Sequence, residues 1–115
     1  MNYRERDLVM NPLLKKMEFD SSVLWVRRTA SFRIGHVTVG KAGDWDITAI
    51  VKCQSGICLL FIECKQPSKK VWAISDLPYE QRQFHSRHKV HKNVYFAIIN
   101  DVKQYKDVMK EVREI

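Results

Sequence analysis

The sequence predicts a single α/β domain over residues 1–115, built on a central mixed β-sheet flanked by helices. Three observations lead to this fold class. A length of 115 residues suits one hydrophobic core and excludes a two-domain architecture. Hydrophobic residues make up 45% of the chain and charged residues 29%, which is typical of a globular protein. Strand-like and helix-like segments follow one another in the order α-β-β-β-α-β-α.

The first half of the chain supplies a helix and three strands. Asn11 followed by Pro12 resembles an N-cap with proline at the first helical position, and predicts a short helix there. The run 22–29 is rich in β-branched and aromatic residues and predicts a strand, whereas 31–43 carries three glycines and is a bent strand or an ordered loop. Two further strand-like runs flank a Ser-Gly turn signal and predict a β-hairpin: 45–52 and 57–65.

The second half predicts a helix, a buried strand and a closing helix. A polar, basic stretch, 66–76, leads into a helix that runs to about Lys89. The nearly continuous apolar run 93–99 is typical of a strand buried on both faces, which we expect in the middle of the sheet. Asp101 and Gln104 have the spacing of a capping box, and the apolar residues after them recur every three or four positions, as in an amphipathic helix.

The hairpin brings three charged side chains together. If Ser55 and Gly56 form a two-residue turn, Asp46 faces Lys65 across the ladder. Because strand side chains alternate, Asp46, Glu63 and Lys65 emerge on one face, with the carboxylates about 7 Å apart as diagonal neighbours. Two carboxylates around one cation favour a hard ion such as Mg²⁺ or Mn²⁺, and hydrolysis of a phosphodiester bond. A solvated hairpin end with a cross-strand ion pair would explain the same pattern.

Charge, hydropathy and cysteine content limit the partners and the cellular compartment that the protein can have. Lysine and arginine number 20 against 13 acidic residues, and a net charge of +7 favours a polyanionic partner. No apolar run approaches the roughly 20 residues of a spanning helix, and charged residues near the start exclude a signal peptide. We therefore expect a cytoplasmic protein, or one in the host cytoplasm if it is viral, with no membrane partner. The odd number of cysteines predicts buried thiols rather than disulfides or a zinc site: Cys53, Cys58 and Cys64.

Two short motifs carry a resemblance to a known family. The sequence GDWDI at 43–47 is followed by IECK at 62–65, at the end of an apolar strand. This pair resembles the Asp…Glu-x-Lys signature of the PD-(D/E)xK nuclease superfamily. A helix that carries Gln81 and then a buried strand follow, as in the VRR-NUC nucleases and the archaeal-type Holliday junction resolvases of that superfamily. The resemblance covers roughly 24–100.

The resemblance implies a restriction-endonuclease-like fold with a metal site. Asp46 and Glu63 would be metal ligands, together with the backbone carbonyl of Cys64. Lys65 is the lysine of the signature, and Gln81 would reach the site from its helix. The catalytic group would then comprise Asp46, Glu63, Lys65 and Gln81, with Mg²⁺ as the cofactor and Mn²⁺ as its substitute.

The chain departs from the family pattern at several positions. The N-terminal helix of these nucleases often supplies one more carboxylate, for which Glu5 is the candidate. Pro12 interrupts the predicted helix on which Glu5 would lie, so Glu18 is a competing choice. Trp45 replaces the family's usual proline before the aspartate, and Asp44 is a second acidic residue beside the first ligand.

Basic residues flank the predicted site along the chain and favour a nucleic-acid substrate. Lysine and arginine side chains in such positions contact phosphates without reading the sequence. The candidates for DNA contacts are Arg27, Arg28, Arg33, Lys41, Lys69, Lys70, Arg82, Arg87 and Lys89. Trp72 lies among several of them and either stacks on an exposed base or covers the edge of the core.

We therefore expect a Mg²⁺-dependent, structure-specific endodeoxyribonuclease that hydrolyses phosphodiester bonds in branched DNA. The resemblance favours a Holliday junction resolvase, acting in recombination and repair. Because one site cuts one strand, symmetric resolution of a four-way junction requires a homodimer. The alternatives are a restriction-like or exonucleolytic nuclease on the same fold, and an inactive DNA-binding protein.

Overall fold

The helices and strands are described here from a computed structural model. It describes residues 3–29, 32–34, 37–39 and 44–115, and for 32–34 and 37–39 the description is of the backbone. In chain order the elements are α1 (Tyr3–Glu5), a π-helical turn (Arg6–Met10), α2 (Asn11–Glu18), β1 (Val23–Arg28), β2 (Phe32–Ile34), β3 (Val37–Val39), β4 (Ile47–Cys53), β5 (Gly56–Cys64), a 3-10 turn (Ile74–Asp76), α3 (Tyr79–His88), β6 (Val94–Ile99), a second 3-10 turn (Val102–Gln104) and α4 (Tyr105–Arg113).

The main sheet has four strands in the order β1-β4-β5-β6. β4 pairs antiparallel with β1 and β5, whereas β5 and β6 run parallel, so the predicted mixed α/β sheet is confirmed. Where the sequence predicted a bent strand or an ordered loop, at 31–43, the described residues form a separate antiparallel pair of short strands, β2 and β3. The expectation that β6 lies in the middle of the sheet is wrong. It is an edge strand, because the chain continues into α4 and supplies no later strand to flank it.

The β4–β5 hairpin turns at 54–55, one residue earlier than predicted. A type I′ turn at Ser55 and Gly56 would need positive φ at both of these residues. Among the described residues only Gly56 has a positive φ, 125°, so the predicted turn does not form. Gly56 therefore follows the turn as the first residue of β5. The pairing shifts by two positions, so that Thr48 pairs with Phe61 and not with Glu63. A shift of two preserves the alternation of side chains between the two faces of the sheet.

The N-terminal helix begins before the predicted N-cap. It runs from α1 through the π-helical turn into α2, and Pro12 does not interrupt it. The physical reason is the π-helical turn that precedes the proline, where the Asn11 N–H donates to the carbonyl of Arg6, five residues earlier. This wider turn changes the backbone register at the position where a proline would otherwise clash with the preceding turn.

Helices cover both faces of the main sheet. One face, which we call the core face, packs against the N-terminal helix and α4. Its buried side chains include Ile47, Ala49, Val51, Leu60, Ile62, Ala97, Ile99, Leu13, Met17, Met109 and Val112. The opposite face, the α3 face, carries Phe61 and Phe96, whose rings lie 5.1 and 6.0 Å from the ring of Phe84 in α3. None of the helices in the described part of the chain has both the length and the apolar character that a membrane span requires.

Candidate functional site

Two carboxylates meet where β4 begins and β5 ends. The backbone N–H of Asp46 donates to Oε1 of Glu63 at 3.3 Å. In return, the N–H of Cys64 donates to Oδ2 of Asp46 at 2.8 Å. Extended by one residue beyond the Ile47–Ile62 pair, the observed register sets Glu63 opposite Asp46, whereas the predicted register made the two residues diagonal neighbours. The corrected turn therefore brings the carboxylates closer than the sequence argument expected.

Lys65 joins this pair from the same face of the sheet. Its Nζ lies 3.7 Å from Oε2 of Glu63, so the predicted cross-strand partner, Asp46, is replaced by Glu63. The ammonium group also stands 4.9 Å from the centre of the Trp72 ring, and Nζ of Lys70 lies 3.9 Å from the same ring. Trp72 thus supports Lys65 from the loop after β5, a role that the sequence argument did not assign to it.

Burial changes the acidity of Glu63. Only 7% of the residue is exposed. Removal from water and the neighbouring Asp46 carboxyl raise the pKa of Glu63 to about 8. A hydrogen bond from Gln81 and the charge of Lys65 act in the opposite direction but are weaker. The Glu63 carboxyl is therefore mostly protonated at neutral pH in the metal-free protein, and a bound cation would displace that proton.

The structure brings Glu5, rather than Glu18, towards Cys64 at the end of β5. Burial and the charges of Asp46, Glu63 and Glu5 raise the pKa of the Cys64 thiol, which places the Glu5 carboxylate within electrostatic range of Cys64, the residue after Glu63. Glu18 is exposed at the other end of the helical segment, and 13 residues of helix span about 20 Å. Since Pro12 leaves the helix unbroken, the predicted reason to prefer Glu18 is removed.

Gln81 reaches the site from α3, and 7% of it is exposed. Its Nε2 donates to the backbone carbonyl of Asp44 at 3.1 Å. Its Oε1 is buried and meets no hydrogen-bond partner among the described residues. The hydrogen bond fixes the chain just before β4, while the Asp44 side chain lines a groove beside β1. The structure sets Asp46 against Glu63 through the Asp46 N–H.

The donor set at this point suits a hard divalent cation. Asp46 and Glu63 offer carboxylate oxygens, and in an extended strand the carbonyl of a residue points to the same side as its N–H. The Cys64 carbonyl therefore points towards Asp46, as the Cys64 N–H does. In the described part of the chain, no three side chains of His, Cys, Asp or Glu form a ready ligand group. The ligands that fit are thus two carboxylates and one backbone oxygen, an oxygen set that favours Mg²⁺ or Mn²⁺.

The predicted DNA-binding residues occupy several surfaces. Arg27 pairs with Thr48 and lies on the α3 face, whereas Arg28 pairs with Ile47 and points to the core face. Arg33 lies in β2, whose backbone alone is described, and Lys41 lies outside the described residues. The remaining candidates are exposed on the loop after β5 and on α3 or its C-cap: Lys69, Lys70, Arg82, Arg87 and Lys89.

The chain was compared with models of known protein families, with curated proteins and with solved structures. None of the three comparisons finds a match.

Proposed function

We propose that this protein is a Mg²⁺-dependent endodeoxyribonuclease that cuts branched DNA, with a four-way junction as its substrate. The observation that carries the proposal is the pair of hydrogen bonds from the Asp46 N–H to the Glu63 carboxylate and from the Cys64 N–H to the Asp46 carboxylate, with the Lys65 ammonium 3.7 Å from Glu63. Two carboxylates and a lysine at the mouth of a β-hairpin are also the core of the PD-(D/E)xK signature that the sequence resembles. We propose the restriction-endonuclease-like fold on the same ground, since the mixed sheet sets this hairpin beside a parallel β5–α3–β6 unit.

Each residue of the site has a distinct role in the proposed reaction. Asp46, Glu63 and the Cys64 carbonyl would hold the cation, which when bound supplies positive charge at the phosphoryl oxygens. Lys65 is positioned to orient the attacking water or to neutralise negative charge that develops on the phosphate. Gln81 fixes the chain just before β4 through its hydrogen bond to the Asp44 carbonyl, and its amide oxygen stays available at the site.

The charge of the molecule supports a DNA substrate. A net charge of +7 attracts a polyanion, and Arg27 lies on the α3 face with the carboxylates. Exposed basic side chains on α3, among them Arg87, extend that positive surface. Contacts of this kind hold the DNA backbone without reading its sequence, which suits an enzyme that recognises the shape of a junction. We propose that two copies act together, one on each strand to be cut.

Cleavage of a synthetic four-way junction, with Mg²⁺ and with chelator, tests the reaction, the cofactor and the substrate together. We expect Asp46→Asn and Glu63→Gln to lower cleavage by more than about a hundredfold while DNA binding persists. Lys65→Ala should lower kcat more than it raises KM, because the ammonium acts on the reacting phosphate. Unchanged cutting by either carboxylate variant would contradict the proposed site.

Two controls sharpen this test. Glu5→Gln should lower activity about tenfold if its carboxylate supports the metal ligands, whereas Glu18→Gln, at the far end of the helix, should leave cleavage unchanged. A linear duplex of the same sequence is the substrate control. Equal cleavage of both DNAs would favour a restriction-like enzyme, and binding without any cutting would favour an inactive DNA-binding protein.

A further inference from the structure

A groove lies on the α3 face beside the edge strand β1 and the start of β4. Its volume is about 360 Å³, and its lining includes Trp25, Arg27 and Thr29 of the β1 segment and Asp44 and Thr48 near the start of β4. The N–H of Thr29 donates to the carbonyl of Asp46 at 2.8 Å, so one end of the groove adjoins the proposed site.

We propose that this groove holds an unpaired nucleotide next to the scissile phosphate, with Trp25 stacked on its base and Arg27 on its phosphate. The inference deepens the proposed function and rests on it, since it takes the Asp46–Glu63 pair as the reacting centre. It narrows the substrate class to DNA with an unpaired nucleotide beside the cleavage point. A base can stack on Trp25 only if it is no longer stacked on its neighbours in the DNA.

The order of side chains along β1 matches this occupant. Trp25, Arg27 and Thr29 alternate with the residues that point to the core face, and each is about 7 Å from the next along the strand. Arg27 therefore lies between the carboxylates and the aromatic ring. Its planar guanidinium binds phosphate oxygens in pairs. Asp44 is the acidic residue in the described lining and precedes Asp46 by two positions, so its charge lies at the end where a cation is expected.

Trp25 is available for stacking. It pairs with Ile50, on the α3 face of the sheet, and remains 45% exposed. Helix α3 packs through Phe84 over Phe61 and Phe96, which belong to the far strands β5 and β6. Stacking of a base on an aromatic side chain contributes about 1–3 kcal/mol and requires no particular base. Unstacking costs least where a base is already unpaired, as at a branch point or a gap.

The test is a binding assay without metal, in which cleavage does not occur. The probes are two synthetic DNAs that carry 2-aminopurine, one at an unpaired position beside a branch and one inside a continuous duplex. We expect the wild-type protein to quench the unpaired probe and Trp25→Ala to lose that quenching. Trp25→Ala should also weaken binding to the branched DNA about tenfold, with less than about a twofold effect on the duplex.

Matched variants keep the result interpretable. Trp25→Phe retains an aromatic face and should preserve most of the quenching, whereas Phe19→Ala removes another exposed ring, 82% exposed at the end of α2, and should change nothing. Equal losses of affinity on both DNAs, or quenching that survives in Trp25→Ala, would overturn the inference. Because the assay contains no metal, these results are separate from the cleavage results on Asp46 and Glu63, and a failure of this inference can be distinguished from a failure of the proposed function.

Discussion

Glu63 is the residue whose chemistry depends most on its surroundings. In water a glutamate loses its proton near pH 4.5, but burial beside Asp46 raises the pKa of Glu63 to about 8. Between these two values the folded protein holds a proton that the unfolded chain releases. The free energy of unfolding therefore falls as pH rises through this interval, and the loss is complete above the folded pKa.

We predict that Glu63→Gln stabilises the metal-free protein at alkaline pH. Glutamine mimics the protonated carboxyl, so the variant and the wild type should melt at similar temperatures near pH 5. The difference in Tm should then grow in favour of the variant as pH rises to about 8. Thermal unfolding followed by circular dichroism in chelator measures this, with Glu80→Gln on exposed α3 as the control. If the difference in Tm between the variant and the wild type stays constant from pH 5 to about 8, the pKa of Glu63 is not raised in the folded protein.

The loop after β5 is the element that supports Lys65, and it is tied to the end of β6. Asn100 is 5% exposed, and its Nδ2 donates to the carbonyls of Ser68 and Lys70 at 3.1 and 3.0 Å. Gln104 in turn donates to Oδ1 of Asn100 at 2.9 Å. The loop that carries Trp72 is thus held to the end of β6 by one buried amide.

We predict that Asn100→Ala lowers the free energy of unfolding by about 2 kcal/mol, because it leaves two loop carbonyls and the Gln104 amide without their partner. Urea unfolding gives the value. Asn11→Ala, which removes an exposed amide from the N-terminal helix, is the matched control, and should change stability by no more than about 0.5 kcal/mol. Equal effects of the two substitutions would show that the Asn100 hydrogen bonds do not contribute to the free energy of unfolding.

On the scale of the whole molecule, net charge governs the encounter with DNA. The chain carries +7, and part of the exposed positive charge lies on α3 and on the loop before it: Lys69, Lys70, Arg82 and Arg87. A protein that binds phosphates releases condensed counterions, so its affinity falls as salt concentration rises.

We predict that Arg87→Ala and Lys89→Ala each weaken binding to branched DNA and lower the slope of log affinity against log salt by about one. A salt titration of fluorescence anisotropy in chelator provides the slopes. Lys16→Ala, on the exposed surface of α2 and outside the predicted contact set, is the control and should keep a slope closer to that of the wild type. Slopes unchanged by either test variant would remove that residue from the DNA interface.

The sequence was sufficient for features that depend on local periodicity. Alternation along two strands predicted that Asp46, Glu63 and Lys65 share a face, and the observed contacts at 3.3 and 3.7 Å bring these residues together. The capping box at Asp101 is confirmed as well, with its side chain accepting from the N–H of Lys103 at 2.9 Å. The metal and catalytic roles of these residues stay predictions.

Features that depend on backbone geometry or distant partners could not be predicted in this way. A Ser-Gly pair does not specify whether the glycine closes the turn or follows it, and the positive φ of Gly56 decides the register. A proline normally marks a helix start, and only the π-helical turn before Pro12 lets the helix continue. The support of Lys65 by Trp72 depends on a loop whose course is set by Asn100, which no spacing in the sequence reveals.

The widened turn at Arg6–Met10 has a consequence for how such a protein evolves. Such a turn is equivalent to one inserted residue, and its removal would rotate everything before it by about 100° around the helix axis. Leu13 and Met17, which lie after the turn, would stay buried in the core. Loss of a single codon would therefore rotate Glu5 about the helix axis relative to Leu13 and Met17, so a one-residue deletion can change which part of the sheet this carboxylate faces.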